Sequence, residues 1–315
     1  MDLVLLASPK PSTPETRNVQ IAAFRSWRRV FPSAEFLLFG NVASWQEELK
    51  HLRMKAGGAL PRGESGGEII RSMFWEATKQ ASGKTFLYLN SDILLDDSAG
   101  QVLAAIQEME PPWLGSARRW CVPQWAGEPP GGEAEWKNLF ARARREGRWG
   151  QACALDIFLF RGLSFAEMPP FRIGHRGWDN WMIFHARAQG IPVIDVSQEL
   201  RVIHCDHDYS YAQGNSAPGR RDGPLEDANL RLLGGEEKLF HLGHATHELW
   251  DGAVRPRRGW SIRQRNLELW QILHPGQRWW WQPLRSLFHP LLKSWQAATT
   301  REESWSSRAG QGASR

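Results

Sequence analysis

Cysteine is scarce in this chain. The three that occur, Cys121, Cys153 and Cys205, are scattered, odd in number and form no Cys-x-x-Cys pair, which argues against a disulfide framework and against a thiolate zinc site. Long apolar runs are missing too, and no uninterrupted stretch approaches a membrane span. The apolar run Leu3–Ala7 follows no basic leader and is too short for a signal peptide, so a reducing, cytoplasmic setting is expected. The body of the chain also lacks a strong charge of one sign. Net charge is +5, but residues 251–315 hold eleven Lys/Arg against four Asp/Glu, which leaves the part before them slightly acidic. Nucleic acid is therefore not an expected partner of that body. Finally, the Gly-rich run Arg62-Gly63-Glu64-Ser65-Gly66-Gly67 lacks the Gly-Lys-Ser/Thr of a P-loop.

What is present has the proportions of a globular protein. With 315 residues, 42% of them hydrophobic, the chain can bury one large core or two modest ones. Leu3 to Ala7 reads as a buried strand, and Ser8 to Pro14 as a loop, because prolines at 9, 11 and 14 disfavour helix and ladder pairing. Val19, Ala22, Ala23, Trp27 and Val30 then recur at helical spacing until Pro32, and Glu35 to Gly40 reads as a second strand. Strand, loop, helix, strand is the opening of a nucleotide-binding α/β fold. The loop after the first strand faces the ligand side of such a fold. Lys10 and Arg17 are therefore candidates for phosphate or base contacts, with simple surface charge the plainer account of Arg17. Helices are expected over 44–54, over 68–80 and around Val102 to Met109, a mobile loop over 55–67, strands over 113–122 and 154–160, and an insertion over 124–150.

The stretch that organises the rest is Thr85-Phe86-Leu87-Tyr88-Leu89-Asn90-Ser91-Asp92-Ile93-Leu94-Leu95. Continuous apolar character without polar alternation is what a parallel strand covered on both faces requires. Asp92 stands where that strand leaves the core, and open α/β sheets bind ligands outside the carboxyl ends of their strands. A carboxylate there suits a hard divalent cation that shares its oxygens with a diphosphate, while Asn90 and Ser91 could meet sugar or ribose hydroxyls. The plainer alternative is an Asp that caps the next turn. Asp156, inside the apolar run Ala154 to Phe160, needs partners because an unpaired buried charge is costly; it is either a hydrogen-bond anchor or a substrate ligand.

A second acidic centre follows in Trp178-Asp179-Asn180-Trp181, at the start of an amphipathic segment. Asp179 is either an N-cap, worth about 1 kcal/mol, or a general base walled by Trp178 and Trp181, whose indoles can stack on a sugar ring. Further on, Val202-Ile203 reads as a short strand that ends in His204, with His207 three residues later. Neutral imidazole suits Mn-like or Zn-like ions better than Mg.

Taken together, Asn90-Ser91-Asp92, the run Arg172-Ile173-Gly174-His175-Arg176-Gly177-Trp178-Asp179-Asn180-Trp181 and the run Ile203-His204-Cys205-Asp206-His207-Asp208-Tyr209-Ser210-Tyr211 resemble nucleotide-sugar-dependent glycosyltransferases of the GT-A fold. The likeness is to bacterial family-two-like members and spans roughly Leu3 to Tyr211. It implies a Rossmann-type mixed sheet flanked by helices over residues 1–249, and a nucleotide-sugar donor with a saccharide or lipid-linked acceptor. It also implies a divalent cation, Mn or Mg, on Asp92 with His204 closing the site, a donor diphosphate at Asn90-Ser91-Asp92, and Asp179 as the base of an inverting transfer. His207 joins the metal set by its His-x-x-His spacing, and Lys10, Asp156 and Trp178 are candidate donor contacts by their own places in the chain. Asn90 stands where the family's motif has its first acid, which removes a charge and lowers the expected metal affinity.

From Trp250 the composition changes. Seven of the eighteen tryptophans follow Asp251 among basic residues, including Trp279-Trp280-Trp281. A helical, basic, Trp-rich extension over 250–303 is expected, lying either against an anionic membrane surface or packed as an appendage, with a disordered tail over 304–315.

Overall fold

The computed structural model describes residues 2–63, 68–123, 128–205 and 224–277. β1 (Leu3–Ala7) leads into α1 (Pro14–Val30), then β2 (Glu35–Phe39), α2 (Gln46–His51), β3 (Lys55–Gly58), α3 (Ile70–Gln80), β4 (Thr85–Leu89) and β5 (Ile93–Leu95). Next come α4 (Ser98–Gln107), β6 (Trp113–Val122), α5 (Glu133–Glu146), β7 (Arg148–Trp149), β8 (Leu155–Arg161) and α6 (Trp178–Ala188). β9 (Val193–Asp195), β10 (Val202–Cys205), α7 (Pro224–Leu233), β11 (His247–Trp250), β12 (Ala253–Pro256) and α8 (Trp260–Leu273) complete the order.

The strands join in a mixed sheet ordered β12-β11-β9-β6-β8-β4-β1-β2-β3. β1 is parallel to β2 on one side and to β4 on the other, so the order reverses around β1. β8 runs antiparallel to both β4 and β6. β6 is long and shifts register between Ser116 and Arg118. Its first half pairs with β9, and its second half pairs parallel with β10, which in turn is antiparallel to β5. The expected class, a mixed α/β sheet flanked by helices, is the one observed.

The central strands are buried along their length, as their unbroken apolar character requires. The main core brings together Trp27, Phe36, Trp45, Leu87, Leu103, Trp113 and Leu159. Trp27 also donates its indole N–H to the Ile93 carbonyl at 2.7 Å, which fixes α1 against β5.

Local chemistry shifts several boundaries. Pro14 does not belong to the loop; it opens α1 behind the N-cap Thr13, whose hydroxyl accepts from Thr16 N while Thr13 N donates to Thr16 Oγ1. Part of the loop expected over 55–67 is the edge strand β3. The segment 124–150 contains α5 and β7, so its described part is built structure with Trp136, Leu139 and Phe140 buried.

The chain divides into two compact units, Met1–Arg257 and Arg258–Arg315. β11 and β12 pair antiparallel and attach to β9, so the sheet runs past residue 249, where the catalytic domain was expected to end. In the second unit α8 buries Gln264 and Leu269 and exposes Trp260 and Leu267. No helix among the described residues is long and apolar enough to cross a membrane. The Trp279-Trp280-Trp281 run and the tail over 304–315 lie outside the described residues.

Candidate functional site

The topology brings the predicted residues to one edge. The loop after β1 carries Lys10, the turn after β4 carries Asn90, Ser91 and Asp92, and the antiparallel β8 begins there with Leu155 and Asp156. β6 and β10 run parallel to each other and bring Arg119 and His204 to the same side. This is the carboxyl edge beside β1, where the strand order reverses.

Asp92 is the centre of the cluster and is 2% exposed. Its Oδ2 accepts from the Lys10 ammonium and lies 3.4 Å from His204 Nε2. The loop that carries Lys10 is tied down by its backbone, for Lys10 N donates to Gln20 Oε1 at 2.8 Å and to Ser91 Oγ at 3.2 Å. The Ser91 hydroxyl is thus bonded to the chain itself. A carboxylate oxygen and an imidazole nitrogen are donor types that an Mn-like ion takes, so Asp92 and His204 are the described residues that would hold one. Among the described residues no group of three or more His, Cys, Asp or Glu could hold a metal. The third expected ligand, His207, lies outside the described residues.

A second hydrogen-bonded chain runs alongside. The Tyr88 hydroxyl donates to Asn90 Oδ1 at 2.8 Å, Asn90 Nδ2 donates to Asp156 Oδ1 at 2.6 Å, and Arg119 Nη1 lies 3.5 Å from Asp156 Oδ2. A carboxylate can only accept, so the amide nitrogen must face Asp156 and the amide oxygen the phenol. Asp156 is therefore a hydrogen-bond anchor for Asn90, one of the two roles its sequence allowed. Burial pushes the Tyr88 phenol well above its usual range, and the charges of Asp156, Asp92 and Asp179 push it further.

Asp179 is the second residue of α6 and not its cap. Gly177, at φ 111°, takes the cap position, in a backbone region that an L side chain rarely adopts. Asp179 Oδ1 accepts from Gly177 N at 3.1 Å and Asn180 N at 3.0 Å. The loop before it is gripped from α7. Buried Asn229 exchanges two 2.9 Å hydrogen bonds with the Arg172 backbone and also donates to the His175 carbonyl.

The tryptophans differ from expectation. Trp178 is a core residue, with ring centroids 5.1 Å from Tyr88, 5.7 Å from Phe158 and 6.1 Å from Phe74. Trp181 stacks on His185 at 4.2 Å and meets Phe171. Aromatic packing occupies both indoles, so neither walls a sugar pocket. Arg17 is structural as well: it pairs with Glu48 at 2.5 Å and donates to Ser12 and the Ser44 carbonyl. Sequence reading missed Arg119, Tyr88, Gln20 and Asn229. The signal for Arg119 was present, since an Asp in an apolar strand demands a partner.

No protein-family model and no curated protein sequence matches the chain. Solved structures do. A mannosyltransferase from Pyrobaculum calidifontis, in complex with GDP-Man and Mn2+, matches at TM-score 0.39 and 12% identity, over 73% of this chain and 69% of that one. Glucosyl-3-phosphoglycerate synthase from Mycobacterium tuberculosis, with Mn2+, UDP and phosphoglyceric acid, matches at TM-score 0.39 and 13% identity, over 75% and 76%. TarS residues 1–349 from S. aureus, with UDP-GlcNAc, match at TM-score 0.38 and 10% identity, over 74% and 70%. Likeness at this level says nothing about chemistry, and the functional reading rests on this chain's own side chains.

Proposed function

We propose that this protein transfers a sugar from a nucleotide-sugar donor to a hydroxyl acceptor, with inversion at the anomeric carbon and with help from a divalent cation. The observation that carries the reading is the convergence of Lys10, Asp92 and His204 at the carboxyl edge of the sheet, with the carboxylate of Asp179 at the start of α6 as a separate acidic group. One group of side chains suits a diphosphate and its counter-ion; the other suits the acceptor.

In this reading Asp92 and His204 hold the cation, Mn or Mg, which when bound offsets charge on the diphosphate. Lys10 donates to a diphosphate oxygen and stabilises the leaving nucleoside diphosphate. Asp179, whose Oδ1 accepts two backbone N–H groups, takes the proton of the acceptor hydroxyl as that oxygen attacks the anomeric carbon from the opposite face. The C1–oxygen bond to the diphosphate breaks and the electron pair leaves with it. The acceptor is a saccharide or a lipid-linked hydroxyl, and the protein acts in the cytoplasm.

The test begins with thermal shifts of the protein against UDP-, GDP-, CMP- and dTDP-sugars, with and without Mn2+ or Mg2+. A metal-dependent rise with one nucleotide class is expected. Asp92→Ala should lose that rise. Asp179→Asn should keep it, and keep the fold, while turnover of that donor falls by roughly 10²–10⁴-fold; transfer at the wild-type rate by that variant would remove Asp179 from the base role. Donor consumed without acceptor would instead indicate a hydrolase, and donor bound without turnover a binding module.

A further inference from the structure

Lys10 and a divalent cation compete for the same oxygen. Asp92 Oδ2 accepts the Lys10 ammonium, and that same atom faces His204 Nε2. Asp92, in the turn after β4, and His204, in β10, are almost fully buried, whereas the Lys10 side chain is 24% exposed. The lysine backbone is pinned through Gln20 and Ser91. Its four-carbon stem can therefore swing while the loop that carries it stays in place.

Charge decides which way it swings. Among the described residues Asp92 pairs with Lys10 and Asp156 with Arg119. A diphosphate entering this site adds negative charge, so both Lys10 and an added cation are favoured when it arrives. Without a diphosphate, a cation must displace Lys10 from Asp92 and leave the ammonium without that partner, which is unfavourable in a partly buried site.

We propose that Lys10 is an exchangeable counter-ion. It occupies Asp92 while the site is empty and moves to the diphosphate when the donor binds, which opens Asp92 Oδ2 to the divalent cation. Cation and diphosphate then bind cooperatively, because each relieves the competition that the other faces. The proposal rests on the nucleotide-sugar reading of this site. Its particular consequence is a pair of opposite effects. Removing the ammonium should tighten the cation alone and weaken the diphosphate, whereas a lysine that merely supports the loop would, when removed, weaken both.

Full-length wild type and Lys10→Met, which keeps the stem and drops the charge, would be titrated calorimetrically with Mn2+ alone, and then with UDP and GDP at saturating Mn2+. The variant should bind Mn2+ alone about tenfold more tightly and the diphosphate about tenfold more weakly. In the wild type, saturating diphosphate should raise Mn2+ affinity by a factor within the usual range for coupled sites, ~5–150-fold. Asp92→Asn should lose Mn2+ binding. Mn2+ affinity that is unchanged or weaker in a folded Lys10→Met protein overturns the proposal. If that variant does not fold, the wild type decides: Mn2+ affinity indifferent to bound diphosphate overturns it. Failure of both diphosphates to bind wild type under any condition removes the transferase reading, while the Mn2+ titration of Lys10→Met still judges the exchange.

Discussion

Asn90 shows how one amide can be dictated by a residue that is remote in sequence. Its Nδ2 lies 2.6 Å from the Asp156 carboxylate. An Asp at 90 would set two carboxylates in contact at a site where neither ionises freely beside the other. Asn90→Asp should therefore destabilise the fold by on the order of 2 kcal/mol, even though it restores the acid that the resembled motif carries. Adding Asp156→Asn to the same chain should recover much of the loss, because one carboxylate and one amide again face each other. Chemical denaturation of the two single variants and the double variant measures the coupling. Simple additivity would show that the contact carries no weight. The prominence of Asp92 was legible in sequence, since an unbroken apolar strand delivers whatever follows it to the edge of the sheet. The reason for Asn90 was not, because its partner is set by the antiparallel register of β4 and β8, a pairing that neither strand encodes alone.

At the scale of the element, α6 carries Asp179, the proposed base, at one end and buried His185 near the other. Burial lowers the pKa of His185, outweighing the opposing effects of Glu167 and a hydrogen bond to the Ser164 backbone. The folded imidazole thus resists a proton that the unfolded chain accepts near pH 6.5. Stability should fall as pH drops from 7 toward 5, since the unfolded state then binds more protons than the native one. His185→Gln should flatten that dependence, read as the change in denaturation midpoint between pH 7 and pH 5; an equal slope would assign the effect elsewhere. The helix was legible from its spacing. The facing of its tryptophans was not: two indoles flanking an Asp at a helix start look alike whether they turn toward a ligand or toward Phe74, Tyr88 and Phe158.

For the whole molecule, the division at Arg257 makes the sheet-bearing unit a natural truncation product. A chain ending at Arg257 should retain a cooperative unfolding transition. If the extension meets an anionic surface, as the lipid-linked form of the acceptor would require, full-length protein should float with anionic vesicles and the truncated chain should not. Equal flotation would dismiss a membrane role for the extension. The exposed Trp260 and Leu267 of α8, with exposed Arg263 between them, are the described residues that this reading would engage.

The register shift in β6 has a consequence for how the molecule comes apart. One half of this strand is laced between β8 and β9, and the other half is laced to β10, which bears His204. Its amides, and those of β10 beside them, should trade their hydrogens for deuterium only when the pairings on both halves of β6 loosen together. Lys10 sits on a loop with no ladder of its own. The imidazole side of the site should thus be among the last parts to open and the ammonium side among the first, so the part that must stay and the part that must move belong to different cooperative units.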